Sequence, residues 1–152
     1  MELEIRAVLA DELPLALALV RRVFLQYEAP DYSRRGVDTF LSFLLDRERV
    51  AELKLFGAFE KGQIVGVLAM RGASHISLFF VESAMQGKGV GRALFSAARE
   101  SCPCDLMTVN SSPYAVEIYK RLGFAPLSEE QEKDGIRFTP MKCILIPGGN
   151  AR

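Results

Sequence analysis

At 152 residues, 49% hydrophobic and 25% charged, the chain has the size and composition of one domain with a buried core. Lysine plus arginine equals aspartate plus glutamate at 19 each, so no net field draws the chain to nucleic acid. No apolar run reaches the ~20 residues that cross a bilayer, and the start MELEIRAV is unlike a secretory or transit peptide, so no membrane partner and a cytoplasmic location are expected.

The segment LEIRAV (3–8) reads as a short strand. ADELPLALALVRRVFLQYE (10–28) reads as a helix, with Asp11 a natural N-cap and Pro14 tolerated in the first turn. The loop APDYSRRG leads to a second amphipathic helix over roughly 37–49, where Val37, Phe40, Leu41, Leu44 and Leu45 fall at helical spacing. The period then changes. LKLFGAFE (53–60), the turn KG and QIVGVLAMR (63–71) make a hairpin. HISLFFVE (75–82) is apolar enough for a central strand buried on both faces. A glycine-rich loop precedes a helix over about 89–101, ended by Pro103. DLMTVN (105–110) is a further strand, SPYAVEIYKRL (112–122) a helix stopped by Gly123, and FAPL with IRFTPMKCILI (136–146) closes the sheet.

Strands followed by β–α–β–α–β predict one mixed α/β (α+β) domain over 1–152, its sheet parallel at the centre and flanked by helices on both faces. Ligands in such sheets bind beyond the C-terminal ends of the strands. The glycine loop after Val81 and the segment Asn110-Ser111-Ser112 both fall there. The basic pairs Arg21-Arg22, Arg34-Arg35 and Lys120-Arg121 read as solvated helix faces. Three cysteines, Cys102, Cys104 and Cys143, make no even disulfide set, and Cys102-Pro103-Cys104 with one remote histidine falls short of a closed zinc site, so free thiols and no metal are expected.

In the loop QGKGVGR (86–92), glycines before a helix expose unpaired N–H groups to which an anion can bind, and Lys88 and Arg92 add charge. A dinucleotide fingerprint from Gly87 needs a small residue where Arg92 stands, and a phosphate-binding Walker loop needs Ser or Thr where Gly89 follows Lys88. Taken alone, the hexapeptide reads equally well as a glycine-rich turn. Together with VNSSPYAVEIYKRLGF (109–124), however, VESAMQGKGVG (81–91) resembles the GCN5-related N-acetyltransferases, the GNAT family. Gln86-Gly87-Lys88-Gly89-Val90-Gly91 matches that family's pyrophosphate motif, and the second segment matches its other conserved block. Ser83 departs from the pattern, since relatives often carry proline there.

The resemblance implies the GNAT fold, with a CoA-binding core over about 53–146 and substrate-side helices over about 10–50. It implies acetyl-CoA as co-substrate, its pyrophosphate on the N–H groups of 87–92 and its pantetheine arm along Phe79, Phe80 and Val81 where the two neighbouring strands diverge. Asn110, with Ser112 beside it, would hold the pantetheine amide or a water. The implied reaction is direct acetyl transfer to a primary amine of a small molecule, peptide or protein. An N–H near Val81 would stabilise the thioester oxygen, and Tyr119 would protonate the departing thiolate, against a plain packing role beside Ala115, Ile118 and Leu122. For the base, relatives use positions that correspond here to His75 and Ser77. Period 2 puts 75, 77, 79 and 81 on one face, which favours His75, with Glu28 in reserve and Glu82 facing the other way. Tyr27, Glu28, Asp31 and Tyr32 combine carboxylates and aromatics that suit a cationic acceptor. The competing reading is a non-catalytic acyl-CoA sensor of the same fold. The acceptor, the acyl length and the oligomeric state, monomer or homodimer, are left open.

Overall fold

The computed structural model describes residues 2–145. Strand β1 (Glu4–Ala7) runs into a 3-10 turn and helix α1 (Leu13–Tyr27). Asp11 is not the cap. Glu12 holds that position, but its side chain serves the preceding 3-10 turn, accepting the Leu9 N–H at 2.9 Å while Arg6 donates to both its oxygens at 2.8 Å. Pro14 sits in the first turn, where its missing N–H costs nothing. Helix α2 (Arg34–Leu45) starts earlier than its apolar spacing suggests, because Ser33 Oγ accepts the Gly36 N–H at 3.3 Å. It also stops earlier: Asp46 is extended and caps a separate short helix, α3 (Arg47–Ala51), through the Arg49 N–H.

Strands β2 (Leu53–Glu60) and β3 (Gln63–Arg71) form the expected hairpin, and Lys61 and Gly62 both take positive φ, as a two-residue turn requires. After β4 (His75–Val81) come α4 (Val90–Ser101), β5 (Leu106–Ser111), α5 (Val116–Arg121), β6 (Ala125–Pro126), β7 (Gln131–Lys133) and β8 (Ile136–Ile144). The sheet order is β1-β2-β3-β4-β5-β8-β6, with β7 paired to β8. The fold is therefore mixed α/β, as expected, but mostly antiparallel: β4 and β5 are the one parallel pair among the described residues. Strand β7 was not foreseen. The end of the last expected strand, Ile146, lies outside the described residues.

Two cores form on the two faces. Helices α1 and α2 pack Leu19, Val20, Phe24 and Leu44 against Val67, Ala69, Leu78 and Phe80. Leu94 and Phe95 of α4 and Tyr119 of α5 pack against Leu68, Met70, Ile76, Met107, Val109 and Met141. Strand β4 is not buried on both faces throughout: buried and half-buried residues alternate along it. A register shift opposite Ala69 and Met70 pairs them with Leu78 and Ile76, leaving Ser77 as the extra residue of a bulge. Ile76 therefore lies with the α4 core and Leu78 with the α1 core, two residues apart but on opposite faces.

Candidate active site

Parallel pairing of β4 with β5 is confined to His75 with Thr108 and Ile76 with Val109. Beyond those pairs the strands part. On the other side of β4, the Glu82 N–H donates to the Val65 carbonyl at 2.9 Å, with Gly66 opposite Val81, Val67 opposite Phe80 and Leu68 opposite Phe79. Antiparallel ladders alternate bonded and non-bonded pairs, so Phe80 bonds to β3 while the amides and carbonyls of Phe79 and Val81 turn to the gap. On β5, the Leu145 N–H bonds to the Asp105 carbonyl and the Thr108 N–H to Ser74, which by the same alternation turns the backbone of Asn110 toward β4. A strip of unpaired backbone groups thus lines the gap.

The gap opens into a cleft of about 490 Å³. At one end lie Gly87, Gly89, Gly91 and Arg92, with Arg121 from α5. Gly87 and Gly89 have φ of 77° and 88°, a conformation that side chains other than glycine resist, and Gly89 is the N-cap of the twelve-residue α4. The loop's N–H groups and the helix dipole make this the electropositive end. Lys88 is exposed and Val90 is buried, its side chain beside Gly66. Of the seven residues 86–92, these two are not on the wall.

At the other end stand Val23, Tyr27, Glu28, Phe80 and Tyr114. Glu28 follows the last residue of α1, so its half-buried carboxyl projects from a helix end into the cleft. Desolvation raises it to about 7; a hydrogen bond from Ser112 opposes the rise and Asp31 adds to it. The charge of Glu28 is felt by Tyr32, Tyr114 and Tyr119, and Tyr27 is the residue before it. Tyr27 and Tyr114 stack at 5.0 Å across the cleft. Tyr27 Oη shares a hydrogen bond with Ser83 Oγ at 2.7 Å, and Tyr114 Oη donates to Gln86 Oε1 at 3.2 Å. Gln86 Nε2 in turn donates to the Val81 carbonyl at 3.0 Å, occupying one of the gap's acceptors.

Tyr119 is buried in α5, its ring 5.9 Å from Phe79 and 5.3 Å from Phe124. Burial, and secondarily the Glu28 charge, raises its phenol, which stays protonated through the neutral range. Among the described residues its hydroxyl has no protein partner, yet no buried side-chain oxygen is left unsatisfied. The hydroxyl is therefore open to the cleft, which the ring lines.

The structure does not bring His75 to this cleft. The bulge at Ser77 breaks the period that would align it with Phe79 and Val81, and His75 stands at the opposite end of β4. Its Nδ1 is 2.8 Å from Thr108 Oγ1, at the root where β4 and β5 still pair. Burial and, less, Arg71 lower it to about 4, so it is neutral at pH 7 and a weak base. We expect His75→Gln to leave kcat and its pH profile as in the parent protein, measured by initial rates from pH 6 to 9. A collapsed rate would return His75 to proton transfer.

Asp31 and Tyr32 also lie off the cleft wall. Tyr32 packs in the α1–α2 core, 5.7 Å from Phe24, and the Asp31 carbonyl accepts from Arg137 at 3.0 Å. Asn110 is exposed beside the gap, and Ser112 is buried, its Oγ accepting the Ala115 N–H at 3.3 Å. Glu82 pairs with Arg22 of α1. Sequence reasoning gave no role to Tyr114 or Val23 and placed Arg121 on a solvated face; Val23 reaches the cleft wall from α1, Tyr114 from the turn before α5 and Arg121 from the end of α5.

A family model described as an acetyltransferase (GNAT) domain matches residues 28–145. Among solved structures, one from Rhodopseudomonas palustris described as a GCN5-related N-acetyltransferase and class-II aminotransferase is 22% identical, with TM-score 0.83 over 95% of this chain and 97% of that one. PaiA N-acetyltransferase from Thermoplasma acidophilum, solved in complex with coenzyme A, is 14% identical, with TM-score 0.77 over 95% and 99%. The apo form of YjaB from Escherichia coli is 23% identical, with TM-score 0.74 over 93% and 97%. At these identities the likeness is one of fold. None of the curated proteins matches the sequence.

Proposed function

We propose that this chain, which belongs to the GNAT acetyltransferase family, is an N-acetyltransferase that acetylates a primary amine with Glu28 as general base and Tyr119 as general acid. The observation that carries the reading is that one cleft, opened by the parting of β4 and β5, holds free backbone groups, a glycine-formed anion nest, a carboxyl near neutrality and a protonated phenol.

The residues present suit acetyl-CoA. Arg92, Arg121 and the N–H groups of 87–92 would hold its pyrophosphate, and the backbone of Phe79 and Val81 its pantetheine arm, once Gln86 releases the Val81 carbonyl. When bound, it supplies an acetyl group activated as a thioester. The chain's own work is to manage two protons and exclude water. A primary amine of pKa about 10.4 arrives protonated. Glu28, ionised in about half the molecules at pH 7, accepts that proton at a carboxylate oxygen. As the C–N bond forms and the C–S bond breaks, Tyr119 donates its hydroxyl proton to the leaving sulfur. Tyr119 is made good by the second proton that the acetylated nitrogen sheds, while the first passes from Glu28 to solvent. The apolar walls of Val23, Phe79, Phe80 and Leu122 keep water from competing with the amine.

The test is to incubate the protein with acetyl-CoA and a panel of amino acids, polyamines, aminoglycosides and short peptides, and to detect acetylated product by mass. One acetylated amine establishes the activity and its substrate class. No product with coenzyme A still bound would favour a non-catalytic CoA-binding role. The nest has its own test. A β-branched residue at Gly89 must be forced into positive φ at a cost of about 1–2 kcal/mol. Gly89→Val should therefore weaken coenzyme A binding about tenfold by calorimetry; unchanged affinity would remove the pyrophosphate from this loop. Gly91 is a poorer target, because a Cβ there meets Phe79 at an ordinary 3.5 Å.

A further inference from the structure

The carboxyl assigned as base sits on a turn that Ala29 and Tyr32 pack onto the α1–α2 core and that a distant strand also holds. Glu28 closes α1, its N–H bonded to the Phe24 carbonyl at 2.9 Å, and its own carbonyl accepts the Asp31 N–H at 3.0 Å. The Asp31 carbonyl accepts Arg137 Nη1 at 3.0 Å. Arg137 lies on β8, more than a hundred residues away, and Glu130 fixes its guanidinium, accepting Nε at 2.9 Å and Nη2 at 3.4 Å. A continuous run of hydrogen bonds thus leads from Glu130 through Arg137 and Asp31 to the backbone of Glu28.

The β7–β8 turn grips the far side of the same loop. Gly135 meets Gly36 at the start of α2 so closely that a Cβ on Gly36 would stand 2.1 Å from the Gly135 carbonyl oxygen, and one on Gly135 2.3 Å from the Gly36 nitrogen. Arg35 pairs with Asp134 at 2.9 Å, and Thr39 Oγ1 donates to the Asp134 carbonyl at 2.8 Å. Ser33 Oγ, the cap of α2, lies against the same glycine contact. The segment 28–36 is therefore clamped at both ends by one hairpin.

We infer that the β7–β8 hairpin is a positioning clamp for the base, and that Arg137, through the Asp31 carbonyl, is the residue that keeps the Glu28 carboxyl turned into the cleft. The inference rests on the reading of Glu28 as base, but its test does not need turnover. Asp31, Tyr32, Tyr114, Tyr119 and Ser112 face or surround Glu28. Of these, Arg137 bonds the Asp31 carbonyl and its charge reaches Tyr32, but its charge is not among the causes that shift Glu28. If the turn loosens, the carboxyl gains water.

The experiment is a side-chain carboxyl NMR titration of Glu28 in the parent, Arg137→Ala and Arg137→Lys proteins, with coenzyme A affinity measured for each. The parent should titrate near 7. Arg137→Ala should fall by about one unit or more toward the ordinary carboxylate value, with coenzyme A affinity unchanged, and Arg137→Lys, which keeps one donor for the carbonyl, should recover part of the shift. Loss of a bare positive charge would move Glu28 the other way, so a rise, like an unchanged midpoint, overturns the clamp. So does a fall that Lys fails to restore or that comes with lost coenzyme A binding. Failure of the base reading is separate: it shows as an undiminished rate in Glu28→Gln whatever Arg137 does.

Discussion

Replacing Glu28 with glutamine is expected to lower kcat about 10²-fold or more, the usual contribution of a positioned general base, while leaving the affinity for acetyl-CoA near that of the parent. Glutamine has the same shape and can still accept from Ser112, but it cannot take a proton. The pH profile separates this from mere damage. With Glu28 near 7, kcat/KM of the parent rises through neutrality as the carboxyl ionises and levels off above it. The variant should lose that limb. An unchanged rate, or a limb that survives, would place the base elsewhere.

The same substitution should carry an opposite signature in stability. In the folded chain Glu28 holds its proton to about 7, whereas an unfolded glutamate releases it near 4.5. Between those values the unfolded state has shed a proton that the native state keeps, so the native state loses stability as pH rises through the window. Glutamine abolishes this loss. The melting temperature of Glu28→Gln should match the parent below pH 4.5 and exceed it above pH 7. A less active but more stable protein is what a desolvated catalytic carboxyl predicts; equal melting curves at all pH would mean that the carboxyl is well hydrated.

Much of this was legible in the chain because it rests on local chemistry. The glycine loop stands out through residues whose backbone conformation most side chains resist, and the order of apolar periods fixes the run of strands and helices. Lys61-Gly62 reads as a hairpin turn from its flanking apolar runs. Asp134-Gly135, with φ of 53° and 83°, is the same signal, but the strand before it, Gln131–Lys133, is polar throughout and has no apolar alternation to mark a hairpin. His75 stands away from the cleft for a different reason. Assigning His75 to the cleft assumed an unbroken period of two along β4, and the bulge at Ser77 depends on how β4 registers against β3, which no local pattern in 75–81 records. Asp31 and Tyr32 look from sequence like partners of Glu28. The turn carries one into a carbonyl bond with Arg137 and the other into the core, leaving Tyr27 and Glu28 alone of the four in the cleft.

Tyr119→Phe is expected to reduce kcat by about 10²-fold, some 2.7 kcal/mol of barrier, with no loss of melting temperature. The competing explanation for Tyr119 is packing, and the substitution keeps what packing requires: the ring still meets Phe79 and Phe124 and still fills the α4–α5 core. What it removes is a hydroxyl that bonds to no protein group among the described residues, on a side chain that lines the cleft. A group with no structural partner costs nothing to the fold when deleted, so any rate lost must come from the reaction. Because burial holds the phenol above its ordinary value, Tyr119 does not ionise in the working range, and the variant should keep the neutral limb that belongs to Glu28. The two substitutions thus divide the proton traffic between them: Glu28→Gln loses rate and limb together, and Tyr119→Phe loses rate with the limb intact. Should Tyr119→Phe keep full kcat, another donor serves the thiolate; should it melt early with its rate, the ring's packing was the whole of its role.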